Sequence, residues 1–282
     1  MAAPASLIAQ AAKQLAALPN PELDAELLFR GIAGLTRAEF LARGDAPVDP
    51  AIAVRFETAV ARRERHEPIQ YILGVAAFWR DEFVVTPAVL IPRPDTEVLV
   101  EAVASRLHAV ASPRLLDLGT GSGCIALSLL REVPSAEAMA VDLSEEALVV
   151  AMANAARLNL SDRIQFRRSR WFEAIPENEA FDAIVSNPPY VARADAAALA
   201  AEVRDFEPAL ALFAEPDDDL SSYRAIVAGL GARLRSGGWL AFEVGQGQAS
   251  GVAEILATAE FAAIETVHDL ASIPRVVLGR RL

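Results

Sequence analysis

The hydrophobic rhythm of the chain changes twice along its length. Ser6–Leu18 carries apolar residues at helical spacing, Pro19-Asn20-Pro21 interrupts it, and Glu22–Gly31 resumes it. Thr36 with Glu39 three positions later predicts a capped short helix. Ala51–His66 predicts another, with Arg62-Arg63-Glu64-Arg65 on its charged face. Residues 1–69 therefore read as a small helical bundle. The period then shortens. Gln70–Leu73, Ala77–Trp79 and Phe83–Val85 read as strands, with Arg80-Asp81-Glu82 as a turn, so residues 70–94 read as a β-hairpin linker. A helix over Thr96–Ala109 opens the third region, residues 95–282. From Pro113 strands and helices alternate in the doubly wound α/β manner. Strands are expected at Leu115–Leu118, Ala138–Val141, Ile164–Phe166, Phe181–Ser186, Trp239–Val244, Ala262–Val267 and Arg275–Leu278. Helices are expected at Cys124–Arg131, Glu145–Leu158, Ser222–Leu234 and Ser250–Ala259.

Composition narrows this picture. The 282 residues are 53% hydrophobic and 23% charged, enough to bury a substantial core. A net charge of −12 argues against a protein whose affinity comes mainly from phosphate contacts. One cysteine, Cys124, permits no internal disulfide. With no Cys/His cluster in the sequence, no metal site is expected. The apolar segment Ala2–Leu18 is broken by Gln10, Lys13 and Gln14 and lacks the flanks of a leader. No apolar run is long enough to span a bilayer, so a cytoplasmic protein without a membrane partner is expected.

Two segments carry chemistry. Asn187-Pro188-Pro189-Tyr190 follows the apolar run Ala183-Ile184-Val185, which places it beyond the carboxyl end of a strand, where open α/β sheets hold ligands. Asn187 brings a side-chain carbonyl acceptor and an amide donor. The prolines restrict the backbone, so the Pro188 carbonyl is aimed with little freedom. Two fixed acceptors side by side suit a flat –NH2 group on an sp2 carbon, and Tyr190 adds an aromatic wall. A proline-rich turn with no chemistry also fits these four residues. The second segment, Asp117-Leu118-Gly119-Thr120-Gly121-Ser122-Gly123, joins a strand to a helix. Its glycines permit positive φ and close backbone approach. Asp117 can pair with an amino group, and Asp142, at the end of the next strand, can accept from both hydroxyls of a ribose. A dinucleotide fingerprint starting at Gly119 needs glycine at the position of Cys124. A nucleoside with a positive centre and no pyrophosphate, such as S-adenosylmethionine, suits the acids and spacing better.

The DLGTGSG loop, Asp142, Trp171-Phe172 and the NPPY segment, in that order, resemble class I S-adenosylmethionine-dependent methyltransferases acting on nitrogen. Glu67-Pro68-Ile69-Gln70-Tyr71, the GVAAFW stretch from Gly74 and Ile91-Pro92-Arg93-Pro94-Asp95-Thr96-Glu97 extend the resemblance to the HemK/PrmC protein-glutamine methyltransferases, from about Asp24 to Leu282. That resemblance implies a Rossmann-like domain with a mostly parallel seven-stranded sheet over residues 95–282. It implies an N-terminal helical substrate-recognition domain and methylation of N5 of the glutamine in the Gly-Gly-Gln motif of peptide chain release factors. Asp117 and Gly119 through Gly123, including Thr120 and Ser122, would hold the cofactor with Asp142 on its ribose and Trp171 near its adenine. Asn187 would touch both ligands, and Pro188, Pro189 and Tyr190 would help to hold the glutamine. Asn187 and Pro188 would be the catalytic pair. A monomer that binds no nucleic acid stably is expected. The sequence departs from the pattern at Arg170, where relatives usually carry an acid, and at Asp219, where they tend to carry glycine. An amino methyltransferase of nucleic-acid bases shares the NPPY geometry and is the alternative. A nicotinamide-dependent dehydrogenase and a catalytically idle binding module are the other readings.

Overall fold

The computed structural model describes residues 3–44, 46–215 and 218–282; positions 1, 2, 45, 216 and 217 of the expected domains lie outside it. The chain forms two compact units, Met1–Val75 with Ala200–Phe206, and Ala76–Leu199 with Glu207–Leu282.

In the first unit, helices α1 (Pro4–Gln14), α2 (Pro21–Ala33), α3 (Arg37–Arg43), α4 (Pro50–Arg63) and α5 (Ile69–Leu73) follow one another. Three of them start on proline, which lacks only an N–H that the first turn leaves unpaired anyway. The expected capping box forms: the Thr36 hydroxyl accepts from the Glu39 N–H, and the Glu39 carboxylate accepts from the Thr36 N–H. Phe29 and Phe56 meet edge to face, 5.4 Å apart, within a core that includes Leu15, Leu28 and Val60. Gln70–Leu73, expected as a strand, is helical. Ile69, Ile72 and Leu73 stand at helical spacing and pack on this core, and Gly74 ends the turn with φ +78°.

The second unit begins with a hairpin, β1 (Val75–Phe78) and β2 (Asp81–Val84). There follow α6 (Glu97–Leu107), β3 (Arg114–Leu118), α7 (Cys124–Glu132), β4 (Glu137–Asp142), α8 (Glu145–Arg157), β5 (Ile164–Arg168) and β6 (Phe181–Ser186). After α9 (Ala201–Phe206), which belongs to the first unit, come α10 (Ala209–Leu212), α11 (Ser221–Gly229), β7 (Leu234–Glu243), α12 (Ala249–Thr258), β8 (Ala262–His268) and β9 (Pro274–Arg280). The sheet order is β5-β4-β3-β6-β7-β9-β8, parallel except for β9 against its two neighbours. This is a Rossmann-like α/β fold. Helix α11 is shorter than expected because the chain turns at Gly231 (φ +50°) and enters a long β7 at Leu234.

Central strands are buried on both faces, which explains their continuous apolar runs. Leu115, Ala183 and Val185 pack with α6 and α7, while Leu116, Leu118 and Ile184 pack with α11 and α12. Helix α9 is the part of the later chain that groups with the first unit. Its Glu202 reaches the buried Arg63 at 2.7 Å, which also holds Asp24 at 2.7 Å. Phe78 and Phe83 bury the hairpin in the core, and one polar side chain helps to dock it: Asn154 of α8 accepts from the Val84 N–H and donates to the carbonyls of Val84 and Ser122. Truncation of Asn154 leaves these buried groups without partners, at about 1–3 kcal/mol for each. Asn154→Ala is expected to melt at a markedly lower temperature, read by calorimetry; an unchanged melting temperature would remove this role.

Candidate active site

Strand register gathers the site. Leu118 of β3 pairs with Val141 of β4 and with Ser186 of β6, and Ser186 pairs with Phe242 of β7. The next residue on each strand therefore falls in one row beyond the carboxyl ends: Gly119, Asp142, Asn187 and Glu243. Two of the strands, β4 and β6, leave β3 on opposite sides, so the row spans the topological switch point. A cavity of about 710 Å³ opens over it, entirely within the second unit.

Gly119, Thr120, Gly121 and Ser122 line one end of this cavity. Gly119 has φ +75°, and a side chain there would be strained. Gly123 (φ +82°) opens α7 and packs so closely on α8 that a Cβ would lie 3.3 Å from that of Ala151. Asp142 braces the loop: Oδ2 accepts from the Gly121 N–H at 2.8 Å and Oδ1 from the Ser144 N–H at 2.9 Å. Burial raises its carboxyl above the ordinary value, and these backbone donors oppose the shift. The capping of α8 itself falls to Ser144, whose hydroxyl accepts from the Ala147 N–H. Trp171 also lines the cavity, with φ +49°, a conformation bulky residues rarely adopt. A turn that the Ser169 hydroxyl bonds to the Trp171 carbonyl and the Ala174 N–H holds it there, and the indole lies over Gly119.

Asp117 lies behind the loop, 1% exposed. Its Oδ2 accepts from the Thr120 hydroxyl at 2.7 Å, and Oδ1 has no hydrogen-bond partner among the described residues. Burial pushes its carboxyl up to about 7, and the Asp142 charge adds to the shift. Because the folded value exceeds the unfolded one, the stability this carboxyl contributes is present in acid and is lost as pH rises through about 7. Asp117→Asn removes that titration. The ligand-free variant is expected to melt above wild type at pH ~8, with a gap that closes toward pH ~5. A gap independent of pH would contradict this.

Asn187 and Pro189 also line the cavity, while Pro188 and Tyr190 lie behind the lining. The backbone acceptors here are not equivalent. The Pro189 carbonyl accepts from the Ser222 hydroxyl and the Tyr190 carbonyl from the Gln248 amide. The Pro188 carbonyl accepts from no described residue. Asn187 Nδ2 lies 3.4 Å from Thr96 Oγ1, so its carbonyl oxygen is turned away from Thr96. Neither Asn187 Oδ1 nor Pro188 O, on adjacent residues, accepts a hydrogen bond from a described residue.

Several contributors were not evident in the sequence. Leu90, Leu210 and Phe213 give the cavity mouth an apolar wall. Arg93 pairs with the buried Glu207, and Glu97 accepts from the Trp79 N–H at 2.7 Å. Arg170 lines the cavity and pairs at 3.0 Å with Glu215, so an acid stands near this position from another segment. Arg168 pairs with Glu145 at 2.9 Å, and Arg167 lies 3.6 Å from Glu179. The three arginines thus form no unneutralised cluster. Among the described residues no group of acids, His and Cys is placed to hold a metal, and no helix is long and apolar enough to cross a membrane.

Residues 6–74 match the PrmC N-terminal domain and residues 94–207 the methyltransferase small domain. The release factor glutamine methyltransferase of Burkholderia pseudomallei is 42% identical over 276 residues, 96% of either chain. The chain belongs to the release factor glutamine methyltransferase family. The Cereibacter sphaeroides member is 46% identical over 234 residues, 83% of this chain and 82% of the relative. Among solved structures, the hMettl16 catalytic domain in complex with a MAT2A 3′UTR hairpin superposes with a TM-score of 0.59 over 83% of each chain. At 18% identity that likeness shows a shared fold alone.

Proposed function

We propose that this chain methylates the side-chain amide nitrogen, N5, of the glutamine in the Gly-Gly-Gln motif of a peptide chain release factor, with S-adenosylmethionine as donor. The observation that carries the proposal is the pair of unengaged acceptors, Asn187 Oδ1 and Pro188 O, on a segment whose Asn187 and Pro189 line the same cavity as the glycine loop. The residues present suit that cofactor. Asp117 retains an oxygen without a partner, a suitable acceptor for an ammonium group. Gly119 and Gly121 leave room for close approach, Asp142 has lone pairs for ribose hydroxyls, and Trp171 offers an indole face for a purine. The polar residues Thr120 and Ser122 complete the loop, and Gly123 opens α7 behind it. Bound there, the cofactor supplies an electrophilic methyl group on a good leaving group.

The chain's own residues then have to make a poor nucleophile react. An amide lone pair is delocalised into its carbonyl. Asn187 Oδ1 and Pro188 O accept the two N–H bonds of the glutamine amide and hold its –NH2 plane still, while Pro189 and Tyr190 wall the side chain. The two oxygens also stabilise positive charge that grows on nitrogen, which is preorganised electrostatics. Placement of this kind supplies roughly 7–11 kcal/mol of barrier reduction. The proton departs after transfer, because an N-protonated amide is strongly acidic, so no strong base is required beforehand.

In this reading residues 1–69 recognise the protein substrate, residues 70–94 link, and residues 95–282 catalyse; the protein acts in the cytoplasm as a monomer. The neutralised arginines at 167, 168 and 170 support a protein rather than a nucleic-acid substrate. The test is incubation with methyl-labelled S-adenosylmethionine and a release factor, its Gly-Gly-Gln glutamine variant, or RNA. Label on the intact release factor alone is expected; label on RNA, or on the glutamine variant, would overturn the proposal.

A further inference from the structure

Glu243 stands beside Asn187 because Ser186 and Phe242 are register partners on β6 and β7. It is 3% exposed and does not line the cavity, so it cannot touch a substrate directly. Its carboxyl group lies near enough to the Thr96 hydroxyl and the Asn187 side chain for both to hold its pKa down. Asn187 Nδ2 lies 3.4 Å from Thr96 Oγ1, and Glu243 Oε2 finds no hydrogen-bond partner among the described residues. A carboxylate only accepts hydrogen bonds. Facing Asn187, it selects the amide orientation that turns Nδ2 back toward Glu243 and Thr96 and presents Oδ1 to the cavity. With neither group there, the two orientations of a terminal amide differ little.

Resting on the glutamine-methylation reading above, we propose that Glu243 is a positioning residue for catalysis: its negative charge holds the Asn187 carbonyl oxygen toward the substrate amide and strengthens it as an acceptor. An amide that donates N–H to an anion shifts electron density onto its own oxygen. The same oxygen then meets the charge that develops on the substrate nitrogen. Thr96, which bridges the two side chains, shares the task.

The charge on Glu243 is adjustable. Burial pushes its carboxyl up to about 7. Asp95, next to Thr96 before α6, raises it further, while Arg275 of β9 and the bonds from Thr96 and Asn187 hold it down. Tyr190 and the Cys124 thiol at the start of α7 also face its charge, and Tyr223 of α11 donates to its backbone carbonyl. Arg275 is itself shared with Asp95 at 2.8 Å and Asp269 at 2.9 Å. Protonated, Glu243 can donate to Asn187 Oδ1, and the flipped amide then offers N–H groups to a substrate that also brings N–H groups. The ionised form is the active one.

The experiment measures kcat and KM for a release factor at saturating cofactor from about pH 6 to 9, for wild type, Glu243→Gln, Thr96→Val and Thr96→Ser, with cofactor affinity by calorimetry. Saturating cofactor separates this effect from titration of Asp117. Wild-type kcat is expected to fall in acid with an apparent value near 7. Glu243→Gln should lower kcat by about tenfold and remove that acid limb, with KM and cofactor affinity little changed. Thr96→Val should lower kcat as well, and Thr96→Ser should recover most of the loss. A Glu243→Gln enzyme that keeps the wild-type kcat and acid limb, or that loses cofactor affinity in parallel, overturns the proposal. If that variant does not fold, a wild-type kcat without an acid limb near 7, or equal rates for the two Thr96 variants, overturns it equally. A wild type that labels no glutamine defeats the functional reading itself, before any variant is compared.

Discussion

Asn187→Ala is expected to lower the turnover of a release factor by about 100-fold or more, while cofactor affinity stays close to wild type. The argument is one of differential binding. Oδ1 meets an amide hydrogen whose positive charge grows as nitrogen attacks, so the contact is worth more in the transition state than before it. Loss of one such preorganised contact costs about 3–4 kcal/mol of barrier. A large protein substrate is gripped over a wide surface, so its KM should change far less than kcat. The Pro188 carbonyl remains in the variant and preserves part of the orientation, which leaves a measurable residual rate. Steady-state kinetics with the cofactor saturated, and calorimetry for the cofactor, check both halves. Wild-type turnover by the variant would remove Asn187 from the chemistry.

Asp142→Ala is expected to fail at the other ligand. Its oxygens fix the Gly121 and Ser144 N–H groups at 2.8 and 2.9 Å and carry further lone pairs toward the cavity. The substitution removes charged acceptors for ribose hydroxyls and loosens the loop together. Hydrogen bonds to an ionised group contribute about 1.5–3 kcal/mol each. Cofactor affinity should therefore fall by about 10- to 100-fold, with kcat partly restored when the cofactor is raised to saturation. Asp142→Asn, which keeps one acceptor, should lie between. Unchanged affinity in calorimetry would move the ribose to another part of the cavity.

The two variants separate what the sequence made legible from what it did not. Runs such as Leu115–Leu118 and Ala183–Val185 declare buried parallel strands, because both faces are covered. Once those strands are placed, the glycine loop, Asp142 and the NPPY segment must sit at their carboxyl ends. Residues 69–73 were harder to read. A five-residue helix spans barely more than one turn, and its aromatic and β-branched residues Tyr71 and Ile72 are types that favour strands. The return of residues 200–206 to the first unit rests on Arg63 meeting Glu202, a pair 139 positions apart that no local pattern announces. The site divides along the same line. Asn187 and Pro188 stand together in the chain, but their selectivity depends on the register that brings Glu243 alongside. It depends equally on which carbonyls Ser222 and Gln248 already occupy. Asn154 gives no local signal for a related reason: nothing in its own helix marks the hairpin it contacts.

The central claim is that two fixed oxygens grip a carboxamide by its hydrogens and turn its nitrogen toward the glycine loop. The most direct measurement is a crystal structure of the enzyme with S-adenosylhomocysteine and a release factor carrying its Gly-Gly-Gln loop. The glutamine nitrogen is expected within about 2.7–3.2 Å of both Asn187 Oδ1 and the Pro188 carbonyl. A glutamine bound elsewhere, or an Asn187 that presents its amide nitrogen to it, would contradict the account.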